Sequence, residues 1–215
     1  MLSDLLFSLK ETEFLFNLFG YISFRSGLSL VSSFFIVLIL MPHWIKLQHS
    51  IFPLGQPIRN DGPKTHYHKK GTPALGGVLI LFSIIISSIL WTSNFSNFNY
   101  ILILTLILFG LIGFFDDYKK VKIGKGISTK IKFLCQLLAT LVIYFTIKYN
   151  GFDLNKFSIP FLKNVSVEIG YFYFILILLI VIGSTNATNL TDGLDGLVSM
   201  PLIFVFLTFA IFAYV

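Results

Sequence analysis

Long apolar runs separated by short polar ones set the rhythm of the chain. A helix needs about 20 mostly apolar residues to cross roughly 30 Å of hydrocarbon. Six stretches approach that length: about 23–42, 75–93, 100–115, 131–149, 170–187 and 197–215. None shows the period-two alternation of a membrane β-barrel, so helices are the available way to span. The pattern predicts an all-α fold, a polytopic transmembrane helical bundle of about six spans forming a single membrane domain over 1–215. Residues 1–21 are apolar but broken by Asp4, Lys10, Glu11 and Glu13. They lack the basic start and small-residue cleavage site of a signal peptide, and predict an interfacial helix leading into the first span.

The polar segments carry an orientation. Segment 43–74 holds Lys46, Arg59, Lys64, Lys69 and Lys70 against Asp61, and 116–130 holds Lys119, Lys120, Lys122, Lys125 and Lys130. Between them, "NFSNFN" at 94–99 is uncharged, and 150–169 balances Lys156 and Lys163 against Asp153 and Glu168. Basic loops stay on the cytoplasmic side. The expectation is an N-terminus outside and cytoplasmic loops at about 43–74, 116–130 and, by alternation, 188–196.

Composition agrees. The 215 residues are 55% hydrophobic and only 12% charged, with a mean hydropathy of +0.84; a soluble domain is nearer a quarter charged. The net charge of +6 is accounted for by topology, which removes the argument for nucleic acid as a partner. Cys135 is the single cysteine, so no internal disulfide is available, and its apolar setting reads as a small core residue.

Three polar motifs gather on the cytoplasmic side. "FFDDYKK" places Asp116 and Asp117 where the third span is expected to end. Adjacent acids repel, and a helix C-terminus is already negative. Either Lys119 and Lys120 compensate, or the pair attends a divalent cation. Mg²⁺ takes one or two protein carboxylates and completes its shell with water and phosphate oxygens. "NATNLTDGLDGL" repeats Asn186, Asn189, Asp192 and Asp195 every three residues, on neighbouring surface of a helix or nearly stacked in a 3₁₀ turn. Gly193 and Gly196 follow the two acids. Ionisable groups at membrane depth point to function; ordinary Asp-Gly turn chemistry is the plainer account.

"DGPKTHYHKKGTPALGG" supplies Lys64, Lys69 and Lys70 for anionic phosphates. Its His66 and His68 read as solvated or substrate-facing, since nothing completes a transition-metal shell. Lys132, just inside the fourth span, either snorkels or points into the site.

With these motifs the chain resembles the polyprenyl-phosphate N-acetylhexosamine-1-phosphate transferases, over essentially all of its length. The paired aspartates and the Asn/Asp motif belong to the whole superfamily; the loop "GPKTHYHKKGTPALGG" points to its muramoyl-pentapeptide branch. The resemblance implies a bacterial inner-membrane enzyme with its active site on the cytoplasmic face. It would transfer phospho-N-acetylmuramoyl-pentapeptide from UDP-N-acetylmuramoyl-pentapeptide to undecaprenyl phosphate, giving lipid I and UMP in the first membrane step of peptidoglycan synthesis, with Mg²⁺ as cofactor. Asp116, Asp117 and Asp192 match the catalytic acids. Lys69, Lys70, Lys132, Asn189 and Asp195 match or adjoin substrate-binding positions, and Asp117 and Asp192 are candidate metal ligands. A homodimer is implied as well.

Ala74 and Leu75 stand where the family commonly has threonine and methionine. A third aspartate in a "GDVGS"-like motif and a late histidine cluster do not occur before Val215, so the expectation is a portion of a longer product or a shortened one. The competing readings are a transferase of N-acetylglucosamine 1-phosphate from UDP-N-acetylglucosamine, a truncated inactive membrane protein, and a transporter, against which the plain span centres argue.

Overall fold

The computed structural model describes residues 2–53, 55, 71–152, 154, 156–159, 162, 166–192 and 196–214. Each of the six apolar runs forms a helix. In chain order these are α2 (Ile22–Ile51), α3 (Gly76–Trp91), α4 (Asn97–Ile123), α5 (Thr129–Tyr149), α6 (Phe172–Thr191) and α7 (Ser199–Tyr214). Residues 2–20, expected at the interface, form a short α1 (Leu2–Ser8) followed by a 3₁₀ helix at Phe14–Gly20. Helices α2, α4, α5 and α6 are long and apolar enough to cross a membrane, and α3 and α7 are shorter apolar helices of 16 residues. Their outer faces expose Leu, Ile and Phe along most of their length, as hydrocarbon rather than water demands. The chain is a multi-pass helical membrane protein.

Two helices run further than their apolar stretches. α2 continues through Pro42 to Ile51, although proline removes one hydrogen bond from the ladder. α4 continues through Asp116 and Asp117 to Ile123, where Gly124 ends it with φ of 82°. That left-handed cap is open to glycine at little cost. A second departure is a small antiparallel hairpin, β1 (Lys156–Ser158) paired with β2 (Ser166–Glu168), in a segment read from sequence only as a polar loop. Strands of three residues leave almost no periodic signal.

The chain forms two compact units, Met1–Cys135 and Gln136–Val215. In the first, α2 packs on α3 and α3 on α4. Leu79, Ser83 and Ser87 recur every fourth residue on the buried face of α3, and small side chains there permit close helix approach. Gly110 of α4 lies so near Leu81 that an added Cβ would meet its Cδ1 at 2.5 Å. One end of this unit is tied by Trp91 Nε1, which donates to Ser32 Oγ at 2.9 Å, by stacking of Phe19 on Trp91, and by Ser93, which donates to Asp4. The opposite end holds the acidic pair.

In the second unit α5 buries Gln136, Ala139, Thr140 and Ile143 along one face. Ile182 of α6 is buried too, and Tyr144 of α5 meets Phe174 of α6 edge-on at 5.1 Å. α7 has no buried residue.

Candidate active site

Because α4 runs on past the acids, residues one turn later lie beside them. Lys120 Nζ is 3.0 Å from Asp116 Oδ2 and 2.8 Å from Asp117 Oδ1, so one ammonium bridges both carboxylates. After Gly124 the chain doubles back and the Ile127 N–H donates to Asp116 Oδ1 at 2.8 Å. The first turn of α5 then brings Lys132 Nζ to Asp116 Oδ2 at 3.2 Å. A Cβ on Gly126 would fall 2.5 Å from Asp116 Oδ1, so the turn approaches the carboxylate this closely only because residue 126 has no side chain.

The two adjacent acids therefore have different surroundings. The Asp116 side chain is 7% exposed and accepts from three donors, whereas Asp117 is 39% exposed and meets only Lys120 among the described residues. Burial penalises the Asp116 charge, and two ammonium groups and a backbone N–H offset that penalty. Asp117 Oδ2 has no partner among the described residues. The sequence reading set the pair at a helix C-terminus; here it lies inside the helix, about two turns before the end. Lys120, rather than Lys119, supplies the compensation.

Around this end, Phe52 packs edge-on against Tyr118 at 5.8 Å, Tyr118 stacks with Phe114 at 5.9 Å, and Lys122 Nζ lies 5.7 Å from the Tyr118 ring centre. The entry to α3 is gripped by α2. Trp44 Nε1 donates to the Leu75 carbonyl at 3.0 Å, and the Leu75 N–H donates to Gln48 Oε1 at 3.3 Å. Residues 55 and 71 touch: an added Cβ on Gly55, whose φ is +59°, would lie 2.5 Å from the Gly71 carbonyl carbon. A crevice lined by Gln48, His49, Phe52, Gly55, Pro73, Ala74, Leu75 and Val121 lies there, and Val121 is one turn beyond Asp117. Lys69, Lys70, His66 and His68 lie outside the described residues.

In the second unit, α6 carries Asn186 and Asn189 in its last turns and ends with Asp192 as its C-cap. The run is α-helical to Thr191. Asn186 turns inward to Gln136, whereas Asn189 and Asp192 are exposed and make no side-chain hydrogen bond or ion pair among the described residues. Asp195 lies outside the described residues. Of the predicted site residues, then, Asp116, Asp117 and Lys132 come together directly, and Asn189 and Asp192 share the end of α6. Sequence reasoning missed Gly126, the Ile127 N–H, the Trp44–Gln48 grip and Gln136. For Lys120 the signal was present as spacings of three and four from the acids; "GKG" at 124–126 was a turn signal whose partner could not be known.

No group of three or more His, Cys, Asp or Glu side chains suited to a metal occurs among the described residues. Asp117 keeps one carboxylate oxygen unpaired among the described residues, and Asp192, in the other unit, is exposed.

An acidic pair held by lysines near the end of a membrane-length helix suits the handling of phosphate groups. The sequence profile described as glycosyl transferase family 4 matches residues 99–215, and the chain belongs to that family. Over its whole length it is similar to proteins named phospho-N-acetylmuramoyl-pentapeptide-transferase. Identity is 39% with that of Desulfotalea psychrophila, 40% with that of Rickettsia prowazekii and 44% with that of Desulforapulum autotrophicum. In each case the chain spans 60% of the relative's length.

Proposed function

We propose that this chain carries the acidic pair of a transferase that moves phospho-N-acetylmuramoyl-pentapeptide from its UDP-activated form to undecaprenyl phosphate. The reaction releases UMP and makes lipid I at the cytoplasmic face of the bacterial inner membrane. The observation that carries this reading is the unequal pair: Asp116 locked by Lys120, Lys132 and the Ile127 N–H, beside Asp117 with an oxygen to spare. Similarity along the full chain to proteins of that name supports the choice of substrates.

In the reaction an oxygen of the lipid phosphate forms a bond to the phosphorus that bears the sugar. The bond from that phosphorus to the UMP oxygen breaks, and UMP departs with the electron pair. Phosphoryl transfer of this kind depends chiefly on positioning and on offsetting charge. Asp117 is the acid that faces the reacting groups, either accepting a proton from the lipid phosphate or orienting it. A monoester phosphate has a second pKa of roughly 6, so little basicity is required. Asp116 acts at one remove: it fixes Lys120 and Lys132, whose ammonium groups are assigned to offset the charge of the donor pyrophosphate. Lys69 and Lys70 directly precede Gly71, and the stretch they enter packs beside Val121, which supports their assignment to donor phosphates. Asn189, Asp192 and Asp195 are assigned to the donor nucleotide end. Asp117 and Asp192 are each assigned as a carboxylate ligand for Mg²⁺, which would neutralise pyrophosphate charge when bound.

The test uses membranes from cells expressing the complete gene, supplied with undecaprenyl phosphate and either UDP-N-acetylmuramoyl-pentapeptide or UDP-N-acetylglucosamine. UMP release with the first donor, dependent on added Mg²⁺, is the expected result. Release with the second donor alone, or with neither, would overturn the proposal.

A further inference from the structure

The buried polar side chains of the second unit meet at one point. Gln136 of α5, only 1% exposed, accepts at Oε1 from Asn186 Nδ2 of α6 at 3.1 Å. Asn186 Nδ2 also donates to the Ile182 carbonyl at 2.9 Å, so both hydrogens of that amide are engaged. Gln136 Nε2 has no acceptor among the described residues. The surroundings are apolar or small: Ala139, Ile143 and Ile182 are buried nearby in sequence on the same helices, and Thr140 satisfies its own hydroxyl on the Gln136 carbonyl at 2.8 Å.

An aliphatic side chain at position 136 would pack there without desolvating an amide or stranding its N–H groups. What the amide adds is direction. Van der Waals contact between helices tolerates some rotation about the axis, while a hydrogen bond across the interface fixes one register. Asn186 precedes Asn189 by three residues, which places the two about 60° apart around α6. Asp192 follows as the C-cap. Whatever sets the rotation at Asn186 therefore sets where Asn189 and Asp192 face.

We propose that the Gln136–Asn186 pair is a positioning device that holds the last turns of α6 so that Asn189 and Asp192 meet the uridine-diphosphate end of the donor. This rests on the donor-transfer reading above. In the complete enzyme, Gln136→Leu is expected to raise the donor KM about tenfold, with the KM for lipid phosphate and the thermal unfolding midpoint little changed. Asn186→Leu is expected to do the same. The double variant should match either single one rather than compound them, because both break one hydrogen bond.

A structural readout separates this proposal from the reading it rests on. In a Cys135→Ala background, maleimide labelling of Asp192→Cys reports the direction of residue 192 without any turnover, and Gln136→Leu should change its rate severalfold. Should the unmodified enzyme fail to use the donor, the transfer reading falls while labelling still decides the positioning. Unchanged labelling in a folded Gln136→Leu protein would overturn the proposal. So would a donor KM and a lipid phosphate KM that rise together with a fall in the unfolding midpoint, which is the signature of a packing role alone.

Discussion

Two helices carry acids toward their C-terminal ends in this molecule, and the two places are built in opposite ways. In α4, two turns before its end, Asp116 is enclosed and its charge is answered by two lysines and a backbone N–H. At the end of α6, Asp192 is exposed and meets no cation among the described residues. A charge already matched by its own protein serves to hold other groups in place. A charge left unmatched is available to something that arrives. The contrast is repeated in miniature between neighbours, since Asp117 keeps one oxygen outside the ion-pair network that secures Asp116.

Substitutions can sharpen or break this contrast. The largest expected effect is on turnover at the open end. Asp192→Asn in the complete enzyme should lower turnover by about two to three orders of magnitude, as loss of a positioned charge in a phosphate site commonly does. Its thermal midpoint should stay within about 2 °C, because exposed residues without partners contribute little to stability. A large fall in midpoint would place Asp192 in a network like that of Asp116 and dissolve the contrast.

At the closed end, Lys132→Met removes one partner of a buried carboxylate while keeping the stem's bulk. A drop of about 1–3 kcal/mol in unfolding free energy, read by denaturation in detergent, is expected, together with reduced turnover. Gly126→Ala forces a Cβ against Asp116 Oδ1, and overpacking of this sort costs about 1–3 kcal/mol. Its signature would be a lower midpoint with the donor KM unchanged. Phe52→Ala should have the smallest effect. It loses one edge-on contact with Tyr118, worth about 1 kcal/mol beyond its area, and should lower the midpoint by a few degrees at most with turnover retained.

Much of the architecture could be read from the chain, because hydrocarbon imposes a length and an apolar composition that few other environments require. Six helices follow from six apolar runs. Helix ends were less legible. α4 passes through two aspartates and three lysines to Ile123, since helical hydrogen bonds and spacing-of-four ion pairs carry it into water without apolar residues. The hairpin at 156–158 and 166–168 is too short to leave a period. Of the site, the residue types were visible but their division of labour was not. "DD" gives no hint that one acid faces inward, because that depends on a turn eleven residues later bringing back the Ile127 N–H. Asn186 looked like one more member of a polar series until Gln136, fifty residues away, turned out to hold it.

The most direct test of the account compares Asp116→Asn with Asp117→Asn in the complete enzyme, measuring turnover and thermal midpoint on the same preparations. Asp117→Asn should lose about two to three orders of magnitude in turnover at an unchanged midpoint. Asp116→Asn should unfold about 10 °C lower, because it leaves Lys132 without its counter-charge and Lys120 with Asp117 alone, and should keep measurable turnover when assayed cold. Near-normal turnover in Asp117→Asn, or an Asp116→Asn enzyme that is inactive yet as stable as the parent, would contradict the assignment of one acid to chemistry and the other to holding the site together.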